Sequence, residues 1–423
     1  MFQVILANTG DPQASHVASK LSDSLSAKVS VSLYVSADCT GPPQVICTAG
    51  PADVRATLTC LVTRLQKFCN TNIAPPTVMR VGLCGSDSFL NSMLRPYVEL
   101  LSSKPPDWQN HFLFYIIPLG TNTVSRALAN RCPLYSSLFH DDSWRDLLEK
   151  PEPTKAEIAE LVGRVSQYMA MGRISQLSIA EAMVTYKDRL TDEESCQVFV
   201  PFLSDVRVGT FCDTEGEEVA ALGSGRPDQR NSPPSSPNIS KHNIDKEFSA
   251  KRREDSEEFT ELQLDYWGLS LDKSDKLFGT KNDGGDRKQD IEKSKKQTDL
   301  KSSIKTHFKN LSILHLSSSI VSHATDYQHS FSVTYTTKEK KPKAVLKIGK
   351  KKEKSGDVDS KFQNIDGVIR LICMAKSNQP LKVAIDGQDW SGVKFFQVSS
   401  QWQTHIKYLP VCVGSDILAA EHL

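Results

Sequence analysis

Net charge is almost absent from this chain: 51 Lys+Arg stand against 50 Asp+Glu, leaving +1 over 423 residues. A balance this close excludes a protein that coats nucleic acid through its overall field. Long apolar runs are missing too. None approaches the ~18–20 residues needed to cross a bilayer, and the opening Met1-Phe2-Gln3-Val4-Ile5-Leu6 has no basic stretch ahead of an extended apolar one. These absences predict a soluble, cytoplasmic or nuclear protein that meets membranes only peripherally, through a partner or a surface patch. There is no CxxC pair: the ten cysteines, Cys39, Cys47, Cys60, Cys69, Cys84, Cys132, Cys196, Cys212, Cys373 and Cys412, are scattered and sit mostly in apolar runs. That is the pattern of reduced, buried thiols rather than of a disulfide framework or a zinc site. GxGxxG, the Walker GxxxxGK[ST] and the Gly-x-Ser-x-Gly elbow are all missing.

What is present is enough to fold. Apolar residues make up 39% and aromatics 8%, and the length suits two or three domains. From Gln3 onward short β-rich runs alternate with helical patterns: Val4-Ile5-Leu6, a helix with Val17, Leu21 and Leu25, an alternating run at Val29–Val35, and Val45-Ile46-Cys47. Pro51 suits a first helical turn, and Val54, Leu58, Leu61, Leu65 and Phe68 follow at helical steps. Val78–Leu83, a helix with Phe89, Leu90, Met93, Leu94, Tyr97 and Leu101, and the almost wholly apolar Phe112–Leu119 continue the alternation. Strands alternating with helices at this spacing predict an α/β domain over residues 1–212, with crossover helices and a largely parallel or mixed sheet. Within it a short helix is expected at Trp144–Leu148. Lys155–Tyr186 reads as a longer helical region, with Ile174, Leu177 and Met183 on its stripe and Gly172 as an interruption, before Val198–Val208 returns to β character.

Composition then shifts. Residues 213–258, rich in Ser, Pro and charge, and 272–303, charged and poor in large apolar residues, read as disordered insertions. Between them residues 259–271 hold Leu262, Leu264 and Tyr266 on one face, expected as a strand docking on the main sheet. Residues 304–423 read as a β-rich part packing with the first domain: strands at Phe308–Leu316, Phe331–Thr337, Ala344–Ile348, Val368–Met374 and Leu381–Ile385, then a helix on Phe395, Val398, Trp402 and Ile406, then a strand at Tyr408–Val413. That ending is expected to be a βαβ-like unit.

Candidate sites are few. Gly82-Leu83-Cys84-Gly85-Ser86-Asp87-Ser88 joins a strand to a helix, and Gly82, Gly85 and Ser86 form a candidate anion-binding turn, with a Ser- or Asp-capped tight turn as the plainer reading. Asn8-Thr9-Gly10-Asp11 and Gly120-Thr121-Asn122-Thr123 hold equivalent places, so the three could line the crevice where open α/β sheets bind ligands. An enzyme or nucleotide-binding protein using this turn is the alternative functional reading. His140-Asp141-Asp142 is explained by a helix cap better than by a metal. No catalytic, cofactor-binding or metal-binding residue is therefore assigned.

Residues 338–354 hold nine lysines against two glutamates, a local +7. Lys340, Lys341, Lys350, Lys351 and Lys352 are candidates for an acidic partner or an anionic lipid surface, unless they only solvate an edge strand. Nucleic acid is not expected, because interleaved stacking aromatics are lacking. Ser232 and Ser236 precede proline and Ser256 lies between basic and acidic residues, making them candidate phosphorylation sites.

Longer stretches carry a resemblance. The run Phe89–Lys104, Ile116-Ile117-Pro118-Leu119-Gly120, Glu261–Trp267, Gly367–Cys373 and Ile385–Gln397 are similar to the carboxy-terminal region of the phosphofurin acidic cluster sorting (PACS) proteins. The resemblance implies a non-enzymatic scaffold module of a cytosolic sorting adaptor. It further implies links between phosphorylated acidic-cluster cargo and coat adaptors in endosome, Golgi and endoplasmic reticulum traffic. Cargo tails, coat adaptors and other scaffold proteins are the implied partners, with a region amino-terminal to this block expected to contribute. It fixes no ligand-contacting residue and implies no cofactor.

Overall fold

The computed structural model describes residues 3–29, 44–150, 152–187, 196–209, 259–268, 301–315, 330–338, 360–376, 380–401 and 404–414. The expected strand at Ala344–Ile348, residues 30–35 of the run at Val29–Val35, residues 213–258 and most of 272–303 lie outside them.

The chain opens with β1 (Gln3–Asn8), α1 (Pro12–Val29), β2 (Gln44–Thr48), α2 (Pro51–Thr71), β3 (Met79–Gly85), α3 (Asp87–Ser102) and β4 (Phe112–Pro118). The four strands run parallel. Each is joined to the next through a helix, and Val54, Leu58, Leu61 and Leu65 of α2 are buried as their spacing predicts, with Val62 beside them, whereas Phe68 at the end of that stripe is exposed. All seven residues of β4 are buried, as befits a strand covered on both faces. Four helices follow: α4 (Thr123–Ala129), α5 (Pro133–Phe139), α6 (Asp142–Glu149) and α7 (Lys155–Ala170), the last begun by a Thr154/Glu157 capping box.

The helical region expected to run on to Tyr186 stops at α7. Beyond Gly172 lie β5 (Arg173–Ser178) and β6 (Ala180–Tyr186), because Ala180, Ala182 and Val184 alternate into a core with residues too small to dominate a hydrophobic pattern. The remaining strands are β7 (Cys196–Phe202), β8 (Asp205–Gly209), β9 (Thr260–Gly268), β10 (Lys301–Leu314), β11 (Phe331–Lys338), β12 (Ser360–Ala375), β13 (Leu381–Ile385), β14 (Gln388–Ser399) and β15 (Tyr408–Gly414).

These form two sheets. The first has the order β2-β1-β3-β4-β15-β5, so the last strand returns beside β4. The second is antiparallel, and its pairings from β12 through β9, β10, β8, β13 and β14 back to β12 close a ring of six strands. β11 bridges β10 and β12, while β6 and β7 extend outward from β14. Segments from both halves of the chain contribute strands to both sheets. β9, expected to join the main sheet, lies inside the antiparallel one.

The βαβ-like ending is corrected: Gln388–Ser399 is a strand. A register shift between Val393 and Phe395 lets Val393, Phe396 and Val398 all face the core. A bulge converts the strict two-residue period into steps of three and two, and such steps imitate a helix in the sequence.

The seam between β4 and β15 is held from α7. The Tyr168 hydroxyl accepts from Ile116 N at 3.2 Å and donates to the Cys412 carbonyl at 2.7 Å. Its ring packs edge-on against Tyr115, Tyr135 and Phe139. Strand pairing that the sheet leaves open is thus completed by one buried phenol.

Candidate functional site

The three polar turns meet at the carboxyl edge of the parallel sheet, and each is answered by the chain itself. Asp11 accepts from Gln13 N at 2.8 Å and caps α1. Asn122 accepts from Ser125 N at 2.7 Å to cap α4 and donates to the Gly85 carbonyl at 2.9 Å. Ser86 Oγ pairs with Ser88 Oγ at 2.9 Å. Gly82 lies within β3 rather than in the turn, where a Cβ would come within 3.0 Å of Ile5 Cγ1; it is needed for close packing.

At the start of α4 the anion position is held by a protein carboxylate. Asp87 accepts from Thr123 N at 2.7 Å. Burial, the largest cause, pushes its pKa up to about 6 against the hydrogen bonds from Thr123, and the charges of Asp386 and Asp205 push the same way. Asp205 is also raised by burial while its partner Arg207, at 2.7 Å, opposes the shift.

Asp386 and Gly387 form the β13–β14 turn, with φ of 45° and 72°, the left-handed pair that a tight hairpin favours. Asp386 is 2% exposed. Its carboxylate accepts from Leu203 N and Ser204 N at 2.8 Å, Asp205 N at 3.1 Å and Ser204 Oγ at 2.7 Å. Asn91 of α3 donates to Asp386 at 3.2 Å and to the Pro201 carbonyl at 2.9 Å. This polar junction fastens the α/β layer to the antiparallel sheet. The sequence signal for it is the Asp386-Gly387 pair, the dipeptide that two-residue hairpins favour.

His140 and Ser125 come within 2.7 Å, but Ser125 is fully buried and also receives the Tyr135 hydroxyl at 2.9 Å. A hydroxyl sealed in this way cannot reach a substrate. Asp141 accepts from Trp144 N at 2.9 Å and pairs with Arg164, so the His140-Asp141-Asp142 run begins a helix.

An open concave region lies elsewhere. A groove of about 1010 Å³ runs where α3 meets the outer face of the antiparallel sheet. The register places Trp267, Arg370, Ser399, Glu181 and Pro201 in one row across β9, β12, β14, β6 and β7. Arg370 stacks 5.0 Å from the Trp267 ring centroid and donates to Gln397 at 2.9 Å. Phe199 beside the row is 53% exposed. On the α3 wall, Glu99 is shared between Arg55 and Arg95. Glu181 is different: burial alone raises its pKa, and no cation or hydrogen-bond donor meets its carboxylate among the described residues.

The lysines Lys340, Lys341, Lys350, Lys351 and Lys352, and the serines Ser232, Ser236 and Ser256, lie outside the described residues. Lys338, at the edge of that cluster, stands 5.7 Å from the Phe259 ring centroid.

Comparison with known proteins accounts for the likeness seen in the sequence. Residues 3–416 match the family described as PACS-1 cytosolic sorting protein. The chain is 38% identical to phosphofurin acidic cluster sorting protein 2 of Homo sapiens, over 87% of this chain and 41% of that protein. It is 35% identical to phosphofurin acidic cluster sorting protein 1 of Rattus norvegicus, over 96% of this chain and 40% of that protein. The chain thus spans about two fifths of the length of these relatives, which are named as sorting proteins. Among the described residues no helix is long and apolar enough to cross a membrane. With a match that runs through both sheets, the chain belongs to the PACS-1 cytosolic sorting protein family.

Proposed function

We propose that this chain is a non-enzymatic scaffold module of a membrane-traffic sorting adaptor. The observation that carries the reading is the filled carboxyl edge of the parallel sheet. A small-molecule enzyme of this architecture would leave that edge open for its ligand, whereas here Asp11, Asn122 and Asp87 occupy the helix starts and the Asp386 turn packs against α3. Carboxylates in those places repel phosphate, which weighs against the nucleotide-binding alternative at Gly82, Gly85 and Ser86. Family membership supports the same reading. The relatives' names speak of acidic-cluster sorting, and the finer route, acidic-cluster cargo linked to coat adaptors in endosome, Golgi or endoplasmic reticulum traffic, is what the family resemblance implies. Phosphorylation at Ser232, Ser236 and Ser256 would tune partner choice, and the lysines of 338–354 would supply salt-sensitive contact with acidic proteins or anionic membranes.

Purified coat adaptors and phosphorylated acidic-cluster peptides, tested for binding to the chain, examine this directly. Binding that falls steeply with salt and is lost when Lys340, Lys341, Lys350, Lys351 and Lys352 become Gln is expected. A nucleotide and phosphometabolite panel is the counter-test. A ligand at about 100 times its Kd adds ~2.7 kcal/mol of stability, and stabilisation of that size would reverse the assignment.

A further inference from the structure

The groove between α3 and the antiparallel sheet has features that the junction beside it lacks. Its floor carries two charged groups of opposite sign in one cross-strand row, Arg370 and Glu181, separated by Ser399 alone. Two strand spacings set them about 9.5 Å apart along the row. Arg370 has one side chain acceptor, Gln397, and a stacking face on Trp267. Glu181 is half-buried with no cation beside it among the described residues. A carboxylate that gives up water without gaining a partner is a cost that a bound cation removes. Next to it, Phe199 is exposed and Met183 is partly covered, so an apolar stem can lie beside the charge.

We propose that this groove docks a polyproline II-like protein segment carrying a basic residue and an acidic residue three positions apart, the basic side chain meeting Glu181 and the acidic one Arg370. A polyproline II chain has three residues per turn and rises about 3.1 Å per residue, so residues three apart share one face about 9.3 Å apart, which matches the separation of the two floor charges. The methylenes of the basic residue would lie on Phe199 and Met183, as long cationic side chains commonly cover apolar surface. The inference shares with the scaffold reading only the need for a protein partner, and the two are tested by separate assays.

The test is a selection of short random peptides on the full chain, followed by fluorescence anisotropy with the enriched sequences. Enriched peptides should carry Lys or Arg spaced three residues from Asp or Glu. Glu181→Gln should weaken their binding about tenfold, and Phe199→Ala should weaken it comparably. Glu181→Lys should change the selected residue at the basic position to an acid, with an unchanged melting profile showing that the fold survives. Arg370→Glu should make the opposite change at the other position. Enrichment without that charge spacing, no enrichment above an unrelated protein, or affinities indifferent to both charge reversals would each overturn the proposal.

Discussion

The junction at the carboxyl edge and the groove beside it lie along the same helix and handle polar groups in opposite ways. At the junction, one carboxylate from the β13–β14 turn receives three backbone amides, a hydroxyl and an amide side chain. In the groove, the Glu181 carboxylate receives none among the described residues. A buried polar group is held only where its partners are supplied, so the first region reads as architecture and the second as surface waiting for something else. The same chemical edit, carboxylate to a neutral group, should therefore have very different consequences in the two places.

The largest effect is expected at the junction. Asp386→Ala removes the acceptor for Leu203 N, Ser204 N, Asp205 N, Ser204 Oγ and Asn91 Nδ2, and it places alanine at a positive φ. Leaving several buried donors unpaired should cost about 3–5 kcal/mol, read as a lower urea midpoint. A cost below about 1 kcal/mol would mean that water replaces the carboxylate and that the contrast between the regions is weak.

Next comes pH. Asp87 has its pKa pushed up to about 6 in the folded protein against about 3.9 unfolded, so the folded state binds more protons between those values. Its contribution to stability is fully present below about pH 4 and is lost as pH rises through about 6. Asp87→Asn keeps an acceptor for Thr123 N and abolishes the titration. The stability difference between wild type and variant should thus change by about 2 kcal/mol between pH 4 and pH 6.5. Parallel stability curves for the two proteins would show that Asp87 is not where the strain of this acidic junction resides.

Tyr168→Phe tests the same principle at the seam of the parallel sheet. It leaves Ile116 N and the Cys412 carbonyl without the hydroxyl that joins them, while the ring contacts persist. A loss of about 1–2 kcal/mol is expected, accompanied by faster amide exchange at Ile116. Unchanged exchange there would show that the seam closes without the phenol.

How far the sequence discloses these regions differs for physical reasons. β4 is legible because a strand buried on both faces must be apolar throughout, and Phe112–Pro118 is. β14 is misread because its bulge breaks the strand period at Val393 and Phe395, and β6 because Ala180 and Ala182 carry little hydrophobic signal though both are fully buried. The strand-to-helix turns that hold Asp11 and Asn122 and the helix start at His140-Asp141-Asp142 are legible because a cap acts within three residues, although only the structure picks out Asp11, Asn122 and Asp141 as the capping side chains. The groove could not be read at all. Trp267, Arg370 and Glu181 come from three strands far apart in sequence, and only the register makes them neighbours.

The smallest effect closes the comparison. Glu181→Gln changes a carboxylate that has no cation to lose, so the variant should fall within about 0.5 kcal/mol of wild type at neutral pH, as surface changes do. Because burial raises the Glu181 pKa, any shift should be toward greater stability, and it should disappear at low pH, where the wild-type carboxyl is already protonated when folded. Urea titrations of both proteins at acidic and neutral pH measure this. A destabilisation approaching that of Asp386→Ala would mean that Glu181 has an internal partner, and the groove would then be as self-satisfied as the junction.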